Sequence, residues 1–195
     1  MIHPDTELKE VNPAMGLGVF ATKLIPKGTI TWAQDKLDMV FTQSKAEELG
    51  EEYQTTLDKY AFRNNKGEFV LCWDHSRYVN HSFNSNCITT PYNLEIAVRD
   101  IYPGEELTDD YGYLNISEPF YCFPEEGDRE IVYPDDLIKF HPRWDKMLDD
   151  AMKEYANVRQ DLSPFISDFL KKNLHNISKG KKKMESIVTC YFNPS

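Results

Sequence analysis

Residues 77–112 read RYVNHSFNSNCITTPYNLEIAVRDIYPGEELTDDYG. An Asn80-His81-Ser82 triplet stands near the start, in a polar stretch. Leu94 to Arg99 then has the alternating, β-branched character of a strand, and Pro103-Gly104 supplies a turn, proline presetting φ and glycine tolerating a positive one. The stretch closes on Tyr111, set between two acids and Gly112. Helices of ten to fifteen residues do not alternate with these strands, which excludes a doubly wound parallel sheet and predicts small, mostly antiparallel sheets.

Upstream lies MGLGVFA, Met15 to Ala21, with a Gly16-x-Gly18 pair that alone reads as a plain turn. Leu17 to Thr31 (LGVFATKLIPKGTIT) predicts a β-hairpin closed at Pro26-Lys27-Gly28. Ser44 to Leu57 predicts a helix, with Ser44 and Glu47 as a capping box and Ala46, Leu49 and Tyr53 on one face. Asn64 to Gly67 marks a hairpin turn before the strand EFVLCW. Downstream of Gly112 the segment SEPFYCFPEEGDREIVYPDDL is aromatic, acidic and irregular. Two helices are then expected. One starts at Pro142 and carries Trp144, Met147, Leu148, Ala151, Tyr155 and Val158; the other starts at Ser163-Pro164 with Ile166, Phe169, Leu170 and Leu174 on one face. They either close over the preceding domain or pair two subunits.

The chain has 195 residues, 41% of them hydrophobic and 28% charged, which fits one domain with an appendage. No apolar run reaches the ~20 residues of a membrane helix, so no membrane association is expected. The N-terminus has neither a basic start nor an apolar stretch, so the expected location is intracellular, cytoplasmic or nuclear. Cys72, Cys87, Cys122 and Cys190 are scattered, which predicts buried thiols rather than disulfides or a zinc site built from them. The net charge of −10 is uneven: from residue 171 on there are six lysines against Glu185. The acidic body disfavours nucleic acid and attracts basic peptides; the lysine-rich end reads as a solvated, mobile tail, with a nuclear-import signal or a nucleic-acid contact as the alternatives.

The Asn-His-Ser triplet, the GEELTDDYG run of Gly104 to Gly112 and the upstream Gly-x-Gly occur in one order. This resembles the SET-domain protein lysine methyltransferases, over roughly the first 125 residues. The resemblance implies an α+β, mainly β fold: a SET-domain β-clip of small antiparallel sheets with a knot-like C-terminal motif. It implies a SET domain over 1–125, with a helical insert near 36–75 and a post-SET segment near 113–135, and a C-terminal helical extension with a basic tail over 136–195. In such enzymes a Cys-x-Cys and a third cysteine bind zinc after the core. Only Cys122 stands here, so the segment is expected to be zinc-less, held by packing, with no metal.

The implied activity is methyl transfer from S-adenosylmethionine to a lysine of a basic protein or peptide, a histone among the options, laid in the groove as an added strand. Tyr111 is the implied catalytic residue, orienting methyl and amine. Cofactor binding falls on Met15, Gly16, Leu17 and Gly18, whose backbone approaches the methionine end, and on Asn80, His81 and Tyr111. Phe120 and Phe123 either cover the adenine or belong to the core. Tyr78 lines the cofactor or lysine pocket or simply packs. Two departures stand out. Phe83-Asn84-Ser85-Asn86 replaces the usual Cys-x-Pro-Asn, and Asp109 stands where histone-directed relatives have Phe or Tyr. Asp109 is read as a substrate-side residue, holding water or the incoming ammonium, or as a side chain turned outward. A non-catalytic SET-like module binding peptide or cofactor is the competing reading. The oligomeric state stays open.

Overall fold

The computed structural model describes residues 1–193. β1 (Thr6–Asn12) and β2 (Gly16–Ala21) pair antiparallel through a turn in which Asn12 Oδ1 accepts the N–H groups of Ala14 and Met15. β1 is a strand that sequence patterning misses, because none of its residues is buried. β3 (Ile30–Ala33) does not return beside β2, so the hairpin expected over Leu17–Thr31 does not form. Ile25 explains the divergence. It is fully buried and bridges antiparallel to Ile101, drawing the chain into a second sheet. The turn at Pro26–Gly28 does form, inside this crossing, with Gly28 at φ +87°.

The insert comprises β4 (Met39–Phe41), α1 (Gln43–Glu48), α2 (Glu51–Tyr60), β5 (Ala61–Arg63) and β6 (Phe69–Leu71), its strands ordered β4-β6-β5. The single helix expected over Ser44–Leu57 is two, since Gly50 at φ +95° interrupts it. Thr42, rather than Ser44, caps α1, and Tyr53 faces solvent. Ala46 and Leu57 instead pack with Phe69 and Leu71 in a small satellite core. The turn at Asn64–Gly67 joins β5 to β6 as expected, with Gly67 at φ +76°.

β7 (Asn80–His81), β8 (Cys87–Thr89), β9 (Leu94–Ala97) and β10 (Glu106–Asp109) complete two sheets, β1-β2-β10-β7 and β3-β9-β8. The pairings are antiparallel except one. β7 runs parallel to β10, with Thr108 opposite Asn80 and Asp109 opposite His81. Buried Asn86 fixes this arrangement: its Nδ2 donates to Glu106 O at 2.7 Å and its Oδ1 accepts from Thr108 N at 2.9 Å. β11 (Phe120–Tyr121) and β12 (Ile131–Val132) then form a separate two-stranded ribbon.

α3 (Asp136–Met152) begins six residues before the expected start, with Pro142 inside it. A proline there cannot donate to the carbonyl four residues back. The His141 ring meets that carbonyl instead, Nδ1 lying 2.9 Å from Ile138 O. Ser167 caps α4 (Asp168–Ser178), while Ser163–Phe165 forms only a 3₁₀ turn and Phe169 points to solvent. Neither helix is long and apolar enough to cross a membrane.

The helices are not an appendage to a finished domain. Leu137, Trp144, Leu148, Ala151, Met152, Leu162 and Leu174 share one buried cluster with Ile30, Ile88, Leu94, Ile96 and Tyr113. The lysine-rich end is likewise fixed rather than mobile. Met184 and Ile187 are buried in the same cluster, and Asp145 accepts from Ser186 Oγ and Ile187 N. The last two positions of the extension, Pro194 and Ser195, lie outside the described residues.

Candidate active site

β10 collects the motifs, because it is flanked by β2 with the glycine pair and by β7 with the Asn-His pair. Asn80 Nδ2 donates to Leu17 O at 3.0 Å and to Glu106 Oε1 at 2.7 Å, tying all three strands together. Gly18 is required for this: a Cβ there would overlap Glu106 Oε1 and come within 2.7 Å of Val11 Cγ2. Burial pushes the Glu106 carboxyl up, with the Asn80 amide opposing. Gly16 is different, sitting at φ +80° with open space where a side chain would be.

Beyond β10 the chain makes a 3₁₀ turn, Tyr111–Tyr113. Asp110 Oδ1 accepts the Gly112 N–H at 3.0 Å and Tyr113 Oη accepts the Asp110 N–H at 2.8 Å, so both ends of the turn are held. The Tyr111 hydroxyl consequently points at the residue before the Asn-His pair, donating to Val79 O at 3.0 Å. Its backbone N–H donates to His81 Nδ1 at 3.1 Å. That bond leaves the imidazole proton on Nε2, which is buried with no acceptor among the described residues. Burial and the Arg129 charge lower the His81 pKa to about 4, so the ring is neutral at pH 7. Burial pushes the Tyr111 phenol well above its ordinary range, so it is a hydrogen-bond donor and not a base. Phe120 completes an aromatic cluster, its ring centroid 5.4 Å from Tyr111 and 5.8 Å from His81.

Not every expected site residue joins this cluster. Asp109 turns neither to substrate nor outward. It is buried, its Oδ1 accepting from the Tyr113 hydroxyl at 3.0 Å, and burial pushes its carboxyl well above the usual carboxylate range. The reason is strand alternation: on β10, Leu107 and Asp109 face the interior while Glu106 and Thr108 are half-exposed. Tyr78 packs edge-on against Tyr60 of the insert at 5.4 Å and borders a cleft of about 460 Å³ with Leu8, Trp73, His75 and Arg77. Phe123 is 56% exposed. Met15 belongs to the β1–β2 turn.

Polar anchors act beside packing in the segment after Gly112, where Val132 is fully buried and Phe120 sits in the aromatic cluster. Glu125 Oε2 accepts from Ser82 Oγ at 2.9 Å and from Phe83 N at 3.0 Å, fastening the segment to the Asn-His-Ser triplet. Arg129 is buried, ion-paired to both Asp110 and Asp136, with its guanidinium 4.5 Å from the ring centres of Phe83 and Phe140. Among the described residues no group of three His, Cys, Asp or Glu side chains converges as a metal site requires.

Sequence reasoning passed over Glu106, Asp110, Glu125 and Arg129. Arg129 did leave a signal, as the one basic residue between Arg99 and Lys139 in an acid-rich run. A lone cation there is the natural partner of a buried acid.

The geometry agrees with comparison to known proteins. No curated protein matches the chain. Residues 16–112, from the first glycine of the pair to the glycine after Tyr111, match the family model described as SET domain. With its small sheets and flanking helices, and with all three motifs inside the matched span, this chain is a SET-domain protein.

Proposed function

We propose that the protein is a S-adenosylmethionine-dependent protein lysine N-methyltransferase acting on a basic protein of the histone kind. The observation that carries the reading is the Tyr111 hydroxyl, hydrogen-bonded to Val79 O beside the Asn80–His81 pair. Two features fit the cofactor. The buried His81 Nε2–H has no acceptor among the described residues, and a nucleobase ring nitrogen would supply one. The Met15–Gly18 backbone is unscreened at Gly16. Leu17, Asn80, His81 and Phe120 would hold the rest, with Phe123 and Tyr78 at the margins.

Bound there, S-adenosylmethionine supplies a methyl group already activated on a sulfonium. The chain's own task is alignment and desolvation. The Tyr111 hydroxyl oxygen and Val79 O lie 3.0 Å apart and offer acceptors to the N–H bonds of an amine, leaving its lone pair free for the methyl. A lysine amine, with a pKa of ~10.4, must be neutral to react, and a dry aromatic site favours that form. Neutral His81 adds no competing positive charge. Outside, Glu125, Glu126, Asp128 and Glu130 are exposed and attract a basic chain.

Incubation with radiolabelled cofactor and a panel of basic proteins tests the reading: label should appear on lysine of at least one acceptor. Cofactor retained with transfer to none would favour the non-catalytic module.

Gly18→Ala tests the cofactor side. The added Cβ should displace the flexible Glu106 carboxyl from Asn80 while the backbone stays put. With Asn80 no longer held by Glu106, the cofactor dissociation constant should rise by about tenfold, equivalent to about 1.4 kcal/mol of binding free energy. Gly104→Ala, at a positive φ with nothing within 4 Å of an added Cβ, should leave it unchanged; equal affinities by calorimetry would refute the linkage.

A further inference from the structure

Arg129 lies outside every motif, yet it touches the machinery at three points. Its guanidinium grips both oxygens of Asp110 and, through Nη2, Asp136 Oδ2 at 2.6 Å. Asp110 is the residue before Tyr111 and accepts the Gly112 N–H; Asp136 is the first residue of α3 and accepts the Tyr133 N–H at 2.9 Å. Phe83, two residues after His81, and Phe140 of α3 pack against the guanidinium, each ring centre 4.5 Å from its carbon. Gly112 belongs to the same device. A Cβ there would stand 2.9 Å from Arg129 Nη2 and 3.0 Å from Asp110 Oδ1, so glycine after the tyrosine is what admits the guanidinium.

We propose that Arg129 is the positioning residue for Tyr111. By clamping Asp110 it fixes the 3₁₀ turn that aims the phenol at Val79 O, and by bridging to Asp136 and stacking on Phe83 it sets that turn relative to α3 and the Asn-His-Ser segment. The planar fork is essential, because its two terminal nitrogens, at fixed spacing, reach Asp110 and Asp136 at once, whereas a lysine would offer a single nitrogen for both carboxylates. Arg129 touches neither substrate nor cofactor. The inference rests on the methyltransferase reading for its kinetic consequence, but its structural consequence can be read without it.

The test compares Arg129→Ala, Arg129→Lys and Asp110→Asn with the unaltered protein, with guanidinium chloride at tens of millimolar as a rescuing probe. Arg129→Ala should lower kcat by about 10²-fold, the size expected when a reacting group is misplaced by about an ångström, while KM for cofactor changes little. Guanidinium should restore at least a tenth of the lost activity in Arg129→Ala and nothing in Tyr111→Phe. Arg129→Lys should stay impaired. In parallel, the Gly112 amide resonance should shift upfield in Arg129→Ala as its hydrogen bond to Asp110 loosens, and return with guanidinium. Where Arg129→Ala does not fold, Asp110→Asn, which keeps the Arg129–Asp136 pair, should show the same loss of kcat and the same resonance shift. Unchanged kcat in a folded variant would overturn the proposal. So would a loss that raises KM in parallel and ignores guanidinium. If the unaltered protein transfers no methyl to any acceptor, the methyltransferase reading fails, while the Gly112 resonance still decides whether the clamp holds the turn.

Discussion

Tyr111→Phe should give a folded protein that keeps its cofactor and loses methyl transfer by about 10²–10³-fold, the usual cost of removing one preorganised polar group aimed at reacting atoms. The substitution deletes one atom. The ring keeps its neighbours, His81 at 5.3 Å and Phe120 at 5.4 Å, and the backbone N–H keeps its bond to His81 Nδ1. What goes is the hydroxyl at Val79 O, and with it one of the two oxygens that would orient the amine. The loss should therefore fall on kcat, with KM for cofactor within a few-fold of its starting value. Initial rates with labelled cofactor, beside a thermal melt to verify folding, decide the matter. Activity within threefold of the unaltered protein would move the chemistry away from this phenol.

The motifs were legible because they are local. Asn80-His81, Gly16-x-Gly18 and the tyrosine after GEELTDD each occupy a few consecutive residues, and strand pairing through β10 only had to bring them side by side. The polar links between them were not legible. Nothing in sequence spacing says that Glu106 reaches past Gly18 to Asn80, since that contact depends on a missing Cβ in a strand pair. Asp109 was misplaced for a related reason: its neighbourhood in the motif suggested the substrate side, but alternation along β10 sends it inward to Tyr113. The hairpin over Leu17–Thr31 failed on Ile25, whose partner Ile101 lies 76 residues along the chain, a distance at which local patterning carries no signal. The C-terminal stripes did announce helices. Their boundaries slipped because a proline normally starts a helix, whereas Pro142 sits in its second turn with His141 meeting the carbonyl it frees.

Removal of residues 136–195 should abolish folding of the SET core, and Gly28→Ala, a single added methyl, should show why. Gly28 sits at φ +87° where the crossing between the two sheets passes under the C-terminal helices. A Cβ would stand 2.8 Å from Tyr155 N and 2.9 Å from Ala151 O, backbone atoms just beyond and at the end of α3 that cannot rotate away. Gly28 N also donates to Ala97 O at 2.8 Å, and Gln160 Nε2 donates to Gly28 O at 2.9 Å, so the turn itself has no freedom to shift. The methyl thus adds a backbone clash to the ~1–2 kcal/mol of a left-handed conformation, for about 3–5 kcal/mol in all. For a chain of this size that lowers the melting temperature by roughly 6–20 °C. Gly104→Ala is the matched control: φ is +86° but no atom lies within 4 Å, so only the conformational cost applies. Equal melting temperatures for the two variants would mean that α3 does not press on the core. A larger fall for Gly28→Ala would establish that the helices form one folding unit with the sheets, as the buried sharing of Leu137, Trp144 and Leu148 with Ile30, Ile96 and Tyr113 requires.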